Sequence, residues 1–222
     1  MFNRIKRNLY DRIREQVVQE LREKRSADKN CLPITKLEHK HFDNINYILD
    51  RQELLTLMPK LAVCAEIGVA NGDFSRNIID ITNPKKLHLI DAWDTDRYGE
   101  ALMTNVANAL SSEIDCGSVQ IDRGMSTEIL KTFSDNYFDW VYIDTSHSYW
   151  TTRDELKICR DKVKPEGIIA GHDYCMGNWI TGYKYGVIEA VYEFCTNHDW
   201  EIIYITSDII SPSFALRRIR KN

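Results

Sequence analysis

The sequence of 222 residues has little glycine or proline, no long apolar run and no closely spaced cysteines. Glycine and proline together make up only 15 residues, which excludes a low-complexity or collagen-like chain. No window approaches the roughly 18 consecutive apolar residues that cross a membrane. The first residues also lack the apolar core of a signal peptide. We therefore expect a soluble cytoplasmic protein with one well-buried domain and an appendage.

The charge and the cysteines narrow the class of protein further. The six cysteines form none of the closely spaced pairs of a zinc site, which predicts reduced and mostly packed thiols. A net charge of −4 argues against nucleic-acid binding, because such proteins carry a basic surface. The charge is uneven, since residues 1–29 hold nine Lys or Arg against five Asp or Glu. Residues 217–222 add four positive charges, so residues 30–216 sum to −12.

The N-terminal part predicts helices. An apolar residue recurs every three or four positions, in a stripe of Phe2, Ile5, Leu9, Ile13, Val17 and Leu21. Such a helix packs on its own domain or on a second subunit, although a basic amphipathic helix can also lie on an anionic membrane. A second helical stretch is predicted from about Leu37 to Leu57. We expect residues 1–58 to form a helical arm that covers the substrate pocket or joins subunits in a homo-oligomer, without stable membrane insertion.

From residue 61 onward, short apolar runs alternate with helical stretches. This pattern is typical of an α/β fold, a doubly wound parallel sheet with helices on both faces. The seven runs are Leu61–Ile67, Leu87–Ile90, Val119–Ile121, Trp140–Ile143, Gly167–Ala170, Ile202–Ile205 and Phe214–Leu216. The link between the last two is too short for a helical crossover, so we predict an antiparallel terminal hairpin in a domain spanning residues 59–222.

A turn with two glycines follows the first run. Gly68 and Gly72 let the backbone approach a ligand, although such turns also use glycine for steric reasons alone. Asp91 ends the second run, where an acid can bind ribose hydroxyls or cap a helix. The loop lacks the third glycine of a dinucleotide site, and Glu66 and Asp73 flank it with negative charge. This favours S-adenosylmethionine, which carries an ammonium and a sulfonium, over NAD.

Four segments resemble, in order and position, the motifs of class I S-adenosylmethionine-dependent methyltransferases. They are Ala65–Ser75, Leu87–Trp93, Phe138–Tyr149 and Gly167–Tyr174. The resemblance extends over residues 50–216 to a small bacterial group related to macrocin and novobiocin-type sugar O-methyltransferases. It implies a seven-stranded Rossmann-like methyltransferase sheet and O-methylation of a small hydroxylated acceptor such as a sugar or a glycosylated metabolite. The cofactor-binding residues that it implies are Glu66, Gly68, Ala70, Gly72, Asp73, Phe74, Asp91, Ala92, Met125, Ser126 and Asp144.

Polar clusters follow the fourth and fifth runs. Because these runs end on neighbouring strands, Asp144, His147, His172 and Asp173 are expected to converge in one pocket. Two carboxylates and an imidazole can hold a divalent cation such as Mg²⁺ or Mn²⁺, and the resemblance implies Asp144, His172 and Asp173 as its ligands. The resemblance implies that metal-dependent members take their ligands from these positions, with an acid more usual at position 172. The alternative is that Asp144 orients the sulfonium end of the cofactor while the other two bind substrate or loop backbone.

His147 is the candidate general base, with Asp144 and Asp173 as the other catalytic residues. An imidazole with a pKa of about 6.5 can accept a proton at neutral pH. By position, His147 resembles the lysine that takes the proton in catechol O-methyltransferases. The alternative is that His147 caps the helix beginning near Thr151. A glycine-punctuated aromatic loop after the fifth run predicts a substrate lid. Its aromatic residues are Tyr174, Trp179, Tyr183 and Tyr185.

Two functions of other classes fit parts of the sequence. A non-catalytic protein could keep the adenosine pocket and act through its basic N-terminal helix at a membrane or partner surface. A metal-dependent oxygenase could use the cluster of His and Asp residues, because this cluster alone does not exclude Fe(II).

Overall fold

The structure is a computed structural model that describes residues 2–220, apart from the side chains of residues 2–5 and 8. Met1, Asn222 and Lys221 of the basic tail lie outside the described residues, as do the side chains of Phe2 and Ile5 in the predicted stripe. The chain divides into two compact units, Met1–Ile34 and Thr35–Asn222. Residues 35–58, expected in the helical arm, therefore belong to the second unit.

The first unit is dominated by one helix, α1 (Phe2–Asn30). The predicted N-terminal helix is therefore confirmed, and it extends beyond the apolar stripe to Asn30. Its apolar residues Leu9, Ile13, Val17 and Leu21 are all exposed, by 45% to 58% of their surface. Among residues 2–220, no helix is both long enough and apolar enough to cross a membrane.

The second unit alternates strands and helices along the chain, as the sequence predicts. Its helices are α2 (Arg51–Leu57), α3 (Asp73–Thr82), α4 (Glu100–Ala109), α5 (Ser111–Asp115), α6 (Ser126–Thr132), α7 (Tyr149–Lys162) and α8 (Val187–His198), with a short 3-10 helix at His39–His41. Its strands are β1 (Asn46–Ile48), β2 (Val63–Ile67), β3 (Lys86–Asp91), β4 (Val119–Arg123), β5 (Phe138–Ile143), β6 (Val163–Gly171), β7 (Gly177–Asn178), β8 (Tyr183–Lys184), β9 (Trp200–Thr206) and β10 (Phe214–Arg218).

Eight of these strands form one sheet in the order β1-β9-β10-β6-β5-β2-β3-β4. Strand β10 runs antiparallel to both β6 and β9, and the other pairs are parallel. The predicted α/β class with a terminal antiparallel hairpin is therefore confirmed. A separate antiparallel hairpin, β7 with β8, lies between β6 and α8.

The sheet has one strand more than the seven predicted, because β1 pairs with β9 at the edge. This strand lies in the stretch predicted to be helical from Leu37 to Leu57, so that prediction was wrong for its first half. Helix α2 begins only at Arg51, because the Asp50 side chain accepts hydrogen bonds from the first free backbone N–H groups at 52 and 53. The three residues of β1 are too few to produce a recognisable alternation in the sequence.

The central strands are buried on both faces, which explains their continuous apolar runs. In β2 and β5, Cys64, Ala65, Trp140 and Val141 are all completely buried. Parallel strands end at the same edge of the sheet, and ligands of such sheets bind beyond these carboxyl ends. The fold therefore brings together the loops that follow β2, β3, β4, β5 and β6.

Candidate active site

A cavity of about 810 Å³ lies at the carboxyl edge of the sheet, within the second unit. Its volume falls in the range of small-molecule and cofactor sites. Of the eleven residues predicted to bind the cofactor, ten line this cavity, and Gly72 is the exception. His147 also lines it, together with residues 178, 181, 183 and 185 of the predicted lid. The structure thus places the predicted cofactor residues and the predicted base around one space.

The turn after β2 requires glycine at position 68. Gly68 has a φ of +90°, and a Cβ added there would overlap the backbone carbonyl of Asp144 at the end of β5. Gly72, at a φ of +81°, is the N-cap of α3. Ala70 also adopts a left-handed conformation, with a φ of 52°. A residue with a Cβ takes this conformation only where its surroundings stabilise it, so something must hold Ala70 in place.

Asp91 provides that restraint. Its Oδ2 atom accepts hydrogen bonds from the backbone N–H groups of Val69 and Ala70, at 2.8 and 3.0 Å. Its Oδ1 atom accepts one from the N–H of Trp93 at 3.0 Å, which leaves a lone pair on Oδ1 for a ligand. Asp91 ends β3, and the next helix begins only at Glu100, so the helix-cap alternative is wrong. Asp91 organises the loop and retains one acceptor toward the cavity.

Glu66 is buried in the cavity wall, where the Ser75 hydroxyl donates a hydrogen bond to it. Burial, reinforced by the nearby charge of Asp144, raises the pKa of Glu66 to about 8. Burial also raises the pKa of Asp144. A cationic ligand in the cavity would favour the ionised forms of both groups, because an opposite charge nearby stabilises a carboxylate.

Arg51, at the start of α2, is a cavity residue that the sequence did not suggest. Its guanidinium lies 4.6 Å from the ring centroid of Phe74, and its Nη1 atom lies 4.0 Å from Oδ2 of Asp144. It therefore places a positive charge among the acids of the wall. Arg51 belongs to none of the four motifs and lies in a region predicted only as helix, so no sequence signal pointed to it.

His147 and Asp173 form a pair at the chemical end of the cavity. Nδ1 of His147 lies 3.1 Å from Oδ2 of the buried Asp173, and the His147 ring lies 4.7 Å from that of Tyr185. At this separation the negative charge of Asp173 favours a proton on Nδ1, which leaves Nε2 as the acceptor. The alternative role of His147 as a helix cap is wrong, since Ser148 is the N-cap of α7.

His172 lies on the other side of the same carboxylates. Its Nδ1 atom is 3.4 Å from Oδ2 of Asp173 and 3.6 Å from Oδ2 of Asp144. Burial lowers the pKa of His172, but its hydrogen bond to Asp173 and the charge of Asp144 outweigh this, and the net pKa is raised. The two histidines thus share the carboxylate of Asp173.

The donor chemistry at this end fits a divalent cation. Among the described residues, Asp144, His147 and Asp173 bring ligand atoms within 4.8 Å of one another. This set contains two of the predicted ligands and replaces His172 by His147. Oxygen and imidazole donors suit Mn²⁺ and similar ions, but the same atoms also satisfy each other through the contacts described above.

Glu155 is a second residue that the sequence did not suggest. It lies on α7, is completely buried and accepts hydrogen bonds from the hydroxyls of Ser126 and Thr145. Burial raises the pKa of Glu155 to about 7. In the sequence it looks like any charged residue of a helix, and only the packing of α7 against α6 reveals its position behind the cavity wall.

Part of the second unit matches a known protein family in sequence. Residues 65–174 match the family model of a methyltransferase domain. This segment holds the glycine turn, Asp91, the His147–Asp173 pair and Glu155. No curated protein sequence matches the chain.

Solved structures show the same methyltransferase fold at low sequence identity. The pyocyanin biosynthetic protein PhzM has a TM-score of 0.59 and 12% identity, over 77% of this chain and 54% of its own. An O-methyltransferase family protein from Burkholderia thailandensis has a TM-score of 0.58 and 9% identity, over 78% and 56%. A putative methyltransferase from Streptococcus mutans in complex with SAH has a TM-score of 0.52 and 14% identity, over 75% and 93%. The chain thus spans about half the length of the first two and nearly all of the third.

Replacing Gly68 by alanine should destabilise the fold and the cofactor site together. The added Cβ meets backbone rather than a movable side chain, so we expect a loss of about 2–4 kcal/mol in the free energy of unfolding, measured by urea denaturation. Gly117→Ala is the matched control, because Gly117 also has a φ of +81° but faces open space. Equal losses in the two variants would contradict the close approach at Gly68.

The raised pKa of Glu66 predicts a pH-dependent penalty on the unliganded protein. Between about pH 4.5 and pH 8, folded Glu66 holds a proton that the unfolded chain releases, so its contribution to stability falls as pH rises through this window. Glu66→Gln should therefore match the original protein near pH 5 and be more stable by on the order of 3 kcal/mol near pH 8. Thermal unfolding at both pH values measures this. Glu166→Gln, at an exposed site, is the control and should show no such change. Equal stability of Glu66→Gln and the original protein at both pH values would contradict the raised pKa of Glu66.

Proposed function

We propose that the chain is an S-adenosylmethionine-dependent methyltransferase that O-methylates a small hydroxylated acceptor, such as a sugar or a glycosylated metabolite. The single observation that carries the proposal is the acidic cavity at the carboxyl edge of the sheet, with the His147–Asp173 pair at one end. The methyltransferase-domain match over residues 65–174 supports the same reading.

The charge of the cavity suits a cationic cofactor. Its wall contains the acids Glu66, Asp73, Asp91, Asp94 and Asp144, against two arginines, Arg51 and Arg97. A pyrophosphate would be repelled by this wall, whereas an ammonium and a sulfonium would be attracted. When bound, S-adenosylmethionine supplies an activated methyl group. Gly68 lets the turn after β2 pass against the backbone of Asp144, and Oδ1 of Asp91 offers an acceptor for a ribose hydroxyl.

The His147–Asp173 pair can remove the proton of an acceptor hydroxyl. The Asp173 carboxylate lies 3.1 Å from Nδ1 and favours the tautomer of the imidazole with a free Nε2. His147 lines the cavity, so Nε2 can receive the proton as the hydroxyl oxygen forms its bond to carbon. In methyl transfer the protein mainly aligns the nucleophile and accepts this proton.

The aromatic residues of the predicted lid support an acceptor that contains a ring. Tyr183 and Tyr185 line the cavity, and the Trp179 side chain beside them in the chain is 94% exposed. Sugars and aromatic rings both pack on such faces. An O-methyltransferase family protein is among the structural neighbours, which is consistent with a hydroxyl acceptor.

We retain Asp144, His172 and Asp173 as the proposed ligands of a divalent cation. Such an ion would lower the pKa of the acceptor hydroxyl and orient it. A cation bound to the carboxylate of Asp173 would compete with Nδ1–H of His147 for the same oxygen atoms. Without a cation, Asp173 can orient His147, whereas with a cation Asp173 serves as a metal ligand.

Calorimetry tests the cofactor. The protein should bind S-adenosylmethionine and S-adenosylhomocysteine, and Asp91→Asn should weaken both by at least about tenfold, because an amide cannot accept all three backbone hydrogen bonds. Asp94→Asn, in the same wall, is the control and should change binding much less. Failure of the unaltered protein to bind either compound would rule out the proposed function.

Turnover tests the base. With sugars, nucleotide sugars, glycosides and catechols offered as acceptors, His147→Ala should lower methyl transfer by about 10²–10⁴-fold while affinity for S-adenosylhomocysteine changes little. Asp173→Asn should lower turnover as well, because the tautomer of His147 is no longer fixed. His39→Ala, outside the cavity, serves as the control. Each assay is repeated with EDTA, which removes divalent cations and so measures whether turnover depends on one. Full turnover by His147→Ala would eliminate His147 as the base.

A further inference from the structure

A buried carboxylate behind the cavity wall has no role in the mechanism above. Oε1 of Glu155 accepts a hydrogen bond from Ser126 Oγ at 2.5 Å, and Oε2 accepts one from Thr145 Oγ1 at 2.9 Å. Ser126 is the first residue of α6, and Thr145 follows β5. Both line the cavity, whereas Glu155 itself lies behind them. One carboxylate therefore joins two separate parts of the wall.

The direction of these hydrogen bonds determines what the two hydroxyls can offer a ligand. An ionised carboxylate has only acceptors, so each hydroxyl gives its single proton to Glu155. Ser126 and Thr145 then present only oxygen lone pairs to the cavity. A ligand donor facing either hydroxyl finds an acceptor, whereas a ligand acceptor there meets repulsion.

Ser126 lies where the base of a nucleoside would be placed. The strands run in the order β5-β2-β3-β4 at this edge of the sheet. Asp91, with its free acceptor for ribose, ends β3, and Ser126 follows the next strand, β4. A nucleoside whose ribose contacts Asp91 can therefore extend its base toward Ser126.

The burial of the Glu155 carboxylate lowers the stability of the fold, which suggests that this group also has a functional role. A completely buried carboxylate loses its hydration, and two hydroxyl donors return only part of that free energy. An apolar residue at this position of α7 could pack the same space without that cost. A purely structural Glu155 would affect only stability, whereas an orienting Glu155 also affects which ligand binds.

We propose that Glu155 is a positioning residue that sets the base preference of the cavity, by taking the proton of Ser126 so that this hydroxyl accepts from the 6-amino group of adenine and disfavours a 6-keto purine. The proposal rests on the proposed function, since it assumes that an adenosine cofactor binds here. It makes Ser126 the contact and Glu155 the residue that orients it.

The test compares S-adenosylhomocysteine with S-inosylhomocysteine, in which the 6-amino group is replaced by a 6-keto group. Calorimetry at about pH 8, where Glu155 is mostly ionised, should show that the unaltered protein prefers the adenosyl compound by about tenfold or more. Ser126→Ala removes the oriented acceptor and should reduce the preference to within about threefold. Glu155→Gln, whose amide can donate to one hydroxyl, should give an intermediate preference.

Thr132→Val is the control, because Thr132 also lies on α6 but donates its hydroxyl proton to the carbonyl of Ile129 and does not line the cavity. Its preference should equal that of the unaltered protein. If Ser126→Ala keeps the original preference, or if the unaltered protein binds both compounds equally, the inference is overturned while the proposed function stands. If the unaltered protein binds neither compound, the proposed function fails, and the inference with it. Thermal unfolding of each variant confirms that it is folded, and a folded Glu155→Gln variant that keeps the full preference also overturns the role of Glu155.

Discussion

The hydrogen bonds between Asp91 and the backbone after β2 are the interaction on which the cavity depends. The two N–H groups at 69 and 70 belong to a loop that must pass close to β5, and Ala70 takes a left-handed conformation there. A single carboxylate on the neighbouring strand satisfies both groups. Trp93 strengthens the arrangement, because its indole N–H donates to the carbonyl of Ala70 at 3.0 Å while its ring is buried. Loop, strand end and aromatic side chain thus fix one another.

The second constraint is the accumulation of acids at one edge of the sheet. Glu66 and Glu155 are buried, and both have a pKa raised toward neutrality. A fold keeps such groups only where hydrogen bonds or a ligand compensate for lost hydration. Arg51 provides part of the compensation near Asp144, and the hydroxyls of Ser75 and Ser126 provide part elsewhere. The remaining negative charge of the wall favours a positively charged ligand in the cavity.

The sequence predicted those features that depend on neighbours along the chain. The apolar runs predicted seven strands near their observed positions. The glycine turn and Asp91 could be assigned to the ligand edge of the sheet because the end of a strand is recognisable from neighbouring residues in the sequence. The sequence did not predict β1, Arg51 or Glu155, whose positions follow from packing between distant segments. The assignment of Leu37–Leu57 as one helix failed because apolar spacing cannot reveal a three-residue edge strand or the cap at Asp50. The structure was also needed to exclude His147 as a helix cap, since the neighbouring Ser148 is the residue that caps α7.

The antiparallel direction of β10 has a consequence for how the chain folds. Because β10 runs opposite to β6, its first residue, Phe214, pairs with Gly171 at the end of β6 that leads into His172 and Asp173. The backbone N–H of Tyr174 donates to the carbonyl of Pro212 at 2.8 Å, so the last segment of the chain also supports the loop after β6. During synthesis the chain emerges from its N-terminus, and contacts of long sequence separation form late. The support that Pro212 and Phe214 give to the loop after β6 can therefore form only after these late residues have been synthesised.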